Sequence, residues 1–239
     1  MATTGRTHSW DLSTGVDGPG TRFVLFVSGC PLRCLYCANP DTWHMRDGKE
    51  TDVDEVMEEI EKYRAFVTAA GGGVTVTGGE PLLQPAFTGE ILHRCKAAGL
   101  HTALDTSGFL GARATDELLA DTDLVLLDIK SFDVPAYRRL TGGELAPTLN
   151  FATRLDRLGV PMWIRYVRRA LDSAAEGAQA RHAPLEILHA WPWAGHGAAE
   201  VRPGAHDPRA SIDTARDVLE AAAGRRYPVD EVGSGEVQV

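Results

Sequence analysis

The chain has 239 residues, 44% of them hydrophobic, enough for one large α/β domain or two small ones. Its 33 Asp and Glu outnumber 24 Lys and Arg, for a net charge of −9, which excludes a broad basic surface for nucleic acid. No run of 18 apolar residues exists, and MATTGRTHSWDLST has no apolar signal core, so the expectation is a cytoplasmic monomer with no membrane and no nucleic-acid partner.

In chain order, five short apolar runs bounded by Gly or turn residues read as strands: RFVLFVSG (22–29), GGVTVTGG (72–79), HTALDTSG (101–108), DLVLLDIK (123–130) and VPMWIRYV (160–167). Their near-continuous apolar character suits parallel strands covered on both faces. Helices fall between them. The first spans 52–70, where Asp52 and Glu55 resemble a capping box and Val53, Val56, Met57, Ile60, Tyr63 and Val67 form an apolar stripe. Others span 85–98, stopped by Gly99, then 114–120, and 147–158, stopped by Gly159. Strands alternating with helices predict an α/β fold with a parallel sheet, open or closed into part of a barrel. After Val167 the composition turns to Ala, Arg, Gly, His and Pro. Only LEIL (185–188) resembles a strand there, 213–223 could be a helix, and VGSGEVQV reads as a frayed tail. The chain therefore divides into a core, 1–167, and an atypical segment, 168–239.

Three of the four cysteines, Cys30, Cys34 and Cys37, sit as C-x3-C-x2-C directly after the first strand. Such a cluster is no disulfide framework; it suits thiolate binding of zinc or an iron–sulfur centre in a reducing compartment. A structural zinc site would need a fourth ligand, for which His44 is the nearest candidate. Cys95 lies on the apolar face of its helix and reads as a small hydrophobe. With three thiolates, a 4Fe-4S cluster would keep one iron open to a substrate. Ligands of parallel α/β folds gather beyond the carboxyl ends of the strands. There stand Gly78-Gly79-Glu80, Asp105-Thr106-Ser107, Asp128 and Lys130, with Arg165 in the fifth strand. Each alone passes for a turn or a helix cap. Together they describe one pocket of acids, a lysine and an arginine around a metal centre.

C-x3-C-x2-C followed by a Gly-Gly-Glu strand end resembles the radical S-adenosylmethionine (SAM) enzymes. GPGTRFVLFVSGCPLRCLYCAN (18–39) is similar to the signature of glycyl-radical-enzyme activases. VDGPG (16–20), CLYCANPDTW (34–43), GGGVTVTGGEPLLQ (71–84), HTALDTSGF (101–109), LVLLDIK (124–130) and MWIRYV (162–167) make the pyruvate formate-lyase activating enzymes the nearest match, over residues 5–167. The resemblance implies a partial (β/α)6 radical-SAM barrel. It implies that Cys30, Cys34 and Cys37 hold a 4Fe-4S cluster whose fourth iron binds SAM. Reductive cleavage of SAM would yield a 5′-deoxyadenosyl radical that takes a glycine Cα hydrogen from pyruvate formate-lyase. Flavodoxin or ferredoxin would supply the electron.

By the same resemblance, Gly78, Gly79 and Glu80 meet the methionyl amino group, with glycine letting the backbone come close to the ligand. Tyr36, Cys37 and Ala38 lie along the adenine. Asp128, Ile129 and Lys130 flank the carboxylate and ribose, and Arg165 adds positive charge. Asp105, Thr106, Asp128 and the Leu126 carbonyl resemble a monovalent-cation site, and Gly18–Gly20 a loop near the peptide substrate. Other readings are an activase of another glycyl radical enzyme and a non-catalytic, zinc-stabilised α/β binding module.

The chain departs from the family twice. Ala38 stands where the family often has His, and no Leu-Pro-x-His strand follows residue 167; His189 in EILHAW is out of register for it. We read 168–239 as a degraded or out-of-frame end of the same domain. Translating the coding DNA in its other two frames beyond codon 167 is expected to restore a Leu-Pro-x-His strand and a terminal helix. Failure of both frames refutes this.

Overall fold

The structure is a computed structural model that describes residues 3–167, 186–190 and 235–236. Two compact units emerge: Met1–Leu32, Ala38–Thr106 and Leu110–Leu126 form the first, and Arg33–Cys37, Ser107–Phe109 and Leu127–Val239 the second. No described helix is long and apolar enough to cross a membrane.

The first unit is built on parallel strands β2 (Thr21–Val27), β4 (Gly73–Gly78) and β5 (His101–Thr106). Phe23, Val24, Val27, Val74, Val76, Ala103 and Leu104 along them are fully buried, as both-face coverage requires. Helix α1 (Val53–Ala69) packs Val56, Ile60 and Val67 inward, and α2 (Pro85–Ala97) packs Phe87, Ile91, Leu92 and Cys95. Each such side chain contributes roughly 1.5–3 kcal/mol by leaving water. Asp52 caps α1, its carboxylate accepting from the Glu55 amide at 3.0 Å, and α3 (Asp116–Ala120) is capped by Thr115.

Two strands had no apolar signal in the sequence. Strand β1 (Thr4–Thr14) pairs antiparallel with β2, from Thr7↔Val27 to Thr14↔Thr21, and with β3 (Lys49–Asp52), from Thr4↔Asp52 to Thr7↔Lys49. The order in this unit is β3-β1-β2-β4-β5, so the expected parallel sheet is a mixed one. Most of β1 is exposed or half-exposed, which is why its residues are polar. Trp10 is its apolar anchor, stacking on Phe23 at 5.2 Å and against Tyr63 at 5.0 Å.

The second unit holds the outer half of β6 (Leu124–Ile129), helices α4 (Val134–Thr141) and α5 (Ala146–Leu158), and β7 (Met162–Val167). Both helices end on a left-handed glycine, Gly142 and Gly159. Tyr137 of α4 is buried and shares a hydrogen bond with Thr148 of α5 at 3.1 Å. The LEIL run is found as strand β8 (Glu186–Ala190), antiparallel to β7 and followed by the short β9 (Gly235–Glu236). The helix expected over 213–223 lies outside the described residues.

At the N-terminal end of β2, Arg22 is fully buried. Its guanidinium donates to Thr75 Oγ1 at 2.5 Å, the Val74 carbonyl at 2.6 Å, the His101 carbonyl at 3.2 Å and the Pro19 carbonyl at 3.3 Å. Burial pulls its pKa down to about 10, against the opposing pull of Asp17 and Asp123. It stays charged at neutral pH because every direction around it offers an acceptor. The Thr75 hydroxyl in turn donates to the Asp17 carbonyl at 2.7 Å, so Arg22 and Thr75 together tie down the 15–20 loop. That loop, expected near the peptide substrate, sits at the start of β2, while Cys30 follows its end, roughly 23 Å of extended chain away. Arg22→Met leaves those buried carbonyls unpaired and is expected to lower stability by about 3 kcal/mol. Arg46→Met, at the surface, should cost under about 1 kcal/mol; urea midpoints of the two metal-free variants check the contrast.

Candidate functional site

The predicted residues fall into two groups, one in each unit. In the first, the ends of β2 and β4 are stitched backbone to backbone. The Gly79 amide donates to the Val27 carbonyl and the Glu80 amide to the Gly29 carbonyl, both at 2.8 Å. The chain returning from the cysteine loop closes the other side: Gly29 N–H donates to Thr42 O at 2.7 Å, and Cys30 N–H to Trp43 O at 3.0 Å. Cys30 is therefore anchored on both flanks next to the Gly-Gly-Glu turn.

Glycine is obligatory at this junction. Gly78 has φ +113°, and a Cβ on it would lie 2.4 Å from the backbone N and O of Val27. A Cβ on Gly79 would lie 2.3 Å from the Gly29 carbonyl oxygen. The expected reason was close approach to a ligand; the neighbour that demands glycine in the structure is the protein's own chain.

Glu80 is fully buried. Its Oε1 accepts from the Thr106 hydroxyl at 2.6 Å and the Leu82 amide at 3.1 Å, so it caps the turn Pro81–Leu83 and ties it to the end of β5. Asp105 Oδ2 accepts from the Thr77 hydroxyl at 2.8 Å. Gln84 had no assigned role. Its amide donates to the Ser28 and Arg6 carbonyls at 3.0 and 2.9 Å and accepts from the Arg6 amide at 2.6 Å, clamping the strand ends beneath the turn. Its place in GGEPLLQ was the only signal of this.

In the second unit, Asp128 sits between two cations. Its Oδ2 accepts from the Lys130 ammonium and its Oδ1 from the Arg165 guanidinium, each at 2.6 Å. Burial alone would raise the Asp128 pKa; Arg165 and then Lys130 outweigh it and hold the carboxyl well below its ordinary range. Lys130 is held charged the same way, burial pulling its pKa down and Asp128 pulling it up by more. Of the other proposed cation ligands, Asp105, Thr106 and Leu126 belong to the first unit. Ile129 is buried beside them in sequence.

The cysteine loop joins this group through Tyr36. Its hydroxyl donates to the Lys130 carbonyl at 3.2 Å, and the Lys130 ammonium lies 5.9 Å from its ring centre. The Cys37 amide donates to the Cys34 carbonyl at 3.2 Å, forming a tight turn between the two thiols. Burial pushes the Cys34 thiol up, and Lys130 is the largest force pulling it back toward thiolate.

All four cysteines are free thiols. Among the described residues, no three His, Cys, Asp or Glu side chains are already gathered to hold a metal ion, with or without His44. The donor set nevertheless fits a cluster: three half-exposed thiols within eight residues of one loop, one of them facing a lysine. Cys95 does not fit. It is buried against Met57, its Sγ 3.9 Å from the thioether, and burial pushes its thiol up to about 12 despite Arg94.

Comparison with known proteins agrees. The Radical SAM superfamily model matches residues 24–167. A pyruvate formate-lyase 1-activating enzyme of Escherichia coli (strain K12) is 47% identical over 169 residues, covering 70% of this chain and 69% of that protein. A pyruvate formate-lyase-activating enzyme of Clostridium pasteurianum is 47% identical over 163 residues, covering 68% of each. A crystal structure of a domain of pyruvate-formate lyase-activating enzyme from Bacteroides vulgatus ATCC 8482 superposes at TM-score 0.38 with 35% identity, covering 40% of this chain and 60% of that one. With its three loop thiols and Gly-Gly-Glu turn, the chain belongs to the radical SAM superfamily, in the family of the pyruvate formate-lyase activating enzymes.

Proposed function

We propose that the chain activates pyruvate formate-lyase by installing a glycyl radical, in a reducing compartment such as the cytoplasm. The observation that carries this is the stitching of Gly78-Gly79-Glu80 onto the anchored Cys30 loop, in a chain 47% identical to named activating enzymes. Cys30, Cys34 and Cys37 would hold the 4Fe-4S cluster; with SAM bound, it supplies the electron for cleavage of SAM and hence for hydrogen abstraction from a glycine Cα.

The residues supply binding, charge and order. Glu80, buried and already fixed by Thr106 and Leu82, presents a rigid carboxylate to the methionyl ammonium. The Lys130 and Arg165 cations receive the methionyl carboxylate, with Asp128 keeping both charged and oriented until then. Tyr36 holds the loop between the second and third thiols against Lys130, and the backbone of Cys37 and Ala38 runs along the adenine. A backbone contact is indifferent to Ala38 replacing histidine. A monovalent cation at Asp105 and Thr106 stays within this reading.

Two predictions follow from these roles. In anaerobic reconstitution, Cys34→Ala is expected to abolish iron–sulfur absorbance and SAM cleavage, while Cys95→Ala retains both. Wild type with SAM, reductant and pyruvate formate-lyase should give a glycyl radical by electron paramagnetic resonance; a colourless protein holding one zinc would refute the reading. Asp128→Ala leaves two adjacent cations uncompensated. It should cost about 3 kcal/mol of stability and weaken SAM binding at least tenfold, read by denaturation and by equilibrium titration. Because its folded pKa is depressed, the Asp128 contribution is complete above about pH 4 and lost as pH falls through the folded value. The cost of Asp128→Ala should therefore be flat from pH 6 to 8.

A further inference from the structure

We infer that the outer face of the cysteine loop, with the C-terminal turn of α4, is the docking surface for a small acidic one-electron donor protein. The inference rests on the reading above.

Three observations converge. First, the charge of the chain is unevenly placed. Over Met1–Leu32, Ala38–Thr106 and Leu110–Leu126, nine Lys and Arg face 18 Asp and Glu. Over the second unit, Arg33–Cys37, Ser107–Phe109 and Leu127–Val239, fifteen face fifteen, so the whole net charge of −9 falls on the first unit. Second, the positive charge at the surface is gathered near two of the thiols. The Arg33 amide donates to the Thr141 carbonyl at 2.8 Å, and the Leu35 amide to the Leu140 carbonyl at 2.9 Å. These bonds lay the loop along the last turn of α4, beside the exposed Arg138 and Arg139, and Arg33 is exposed as well. Arg138 is partly neutralised by Glu144, its Nε 2.9 Å from the carboxylate. Third, the residue inside this basic rim is Leu35, 64% exposed between Cys34 and Cys37. An apolar centre with a charged rim is the usual plan of a transient interface.

Two protein partners need access to such an enzyme, and their demands differ. The radical-bearing partner must bring a glycine to SAM, which the reading above places at Lys130 and Arg165, side chains only 18% and 9% exposed. An electron donor needs only closeness to the thiolates. Leu35 is bonded directly to Cys34, so a protein seated on it stands next to a thiol that would hold the cluster. One electron leaves the donor's reduced centre and enters the cluster; no bond is made or broken and no proton is transferred. A basic rim selects a donor with an acidic face and speeds encounter at low salt.

The test uses the reconstituted full chain with a flavodoxin as probe. Binding, followed by the flavin signal, should weaken at least tenfold between low ionic strength and about 0.5 M salt, and at least tenfold in the double variant Arg33→Glu, Arg139→Glu. SAM cleavage driven by dithionite should be the same in wild type and variant, while cleavage driven by reduced flavodoxin falls. Salt-independent wild-type binding overturns the proposal without relying on any variant's folding. So does a variant that binds flavodoxin normally yet loses capture of pyruvate formate-lyase, which would make the face a substrate surface. Absence of dithionite-driven cleavage in wild type would instead refute the activase reading, leaving the binding titration to decide the docking surface by itself.

Discussion

The close approach of two backbones, at the ends of β2 and β4, is the constraint on which the site depends. Glu80 can sit beside Cys30 only because its amide reaches the Gly29 carbonyl, and that contact leaves no room for a side chain at Gly78 or Gly79. Gly29 is equally confined, with φ +96° and a Cβ position 2.4 Å from the Met45 sulfur. Glycines at a strand end are costly in conformational entropy. Here each loss is offset by a hydrogen bond or a packed neighbour, so the loop leaves β2 in one direction. Cys30 inherits that direction from Gly29 and its carbonyl partners, and the Glu80 carboxylate inherits its own from Thr106 and Leu82.

The second unit solves a different problem: keeping two cations partly buried without a ligand. A lone lysine or arginine in such a place would lose its proton or destabilise the fold. Asp128 answers both charges at once, one oxygen for each, and its own desolvation is met by the pair. The arrangement holds Lys130 where its carbonyl takes the Tyr36 hydroxyl and its charge favours the Cys34 thiolate. One carboxylate thus bears on both cations and, through Lys130, on the cysteine loop.

Legibility in the sequence followed burial. β2, β4, β5, β6 and β7 each carry a short apolar run bounded by turn residues and were read within a residue or two of their bounds. β1 and β3 were missed because their polar faces meet water, so neither apolar runs nor clean alternation mark them. α4 was missed although its ends were signalled by Asp133, which accepts from the Ala136 amide at 2.7 Å, and by Gly142. The site residues were legible as types at strand ends. Their mutual partners were not: nothing in one dimension pairs Thr77 with Asp105 or Asp128 with Arg165. Arg22 was overlooked inside an apolar run, where its five-donor side chain replaces packing with hydrogen bonds.

The ligand count is where sequence and physical chemistry meet most directly. Three thiols in one loop leave a four-iron cluster one protein ligand short, and the chain holds a fourth cysteine, Cys95. Cys95 is disqualified by energy as well as by place. A thiol pushed to about 12 is ionised at neutral pH in roughly one molecule in 10⁵, against a few in a hundred for an unperturbed one. Binding iron through it would mean exposing a group packed between α1 and α2, whose buried faces hold the first unit together. Burial raises the Cys34 thiol as well, but Cys34 is not fully buried and the Lys130 charge acts against that rise. The fold thus separates one buried cysteine, used as a hydrophobe, from three loop cysteines that are not fully buried, and the proposed three-thiolate cluster rests on that separation.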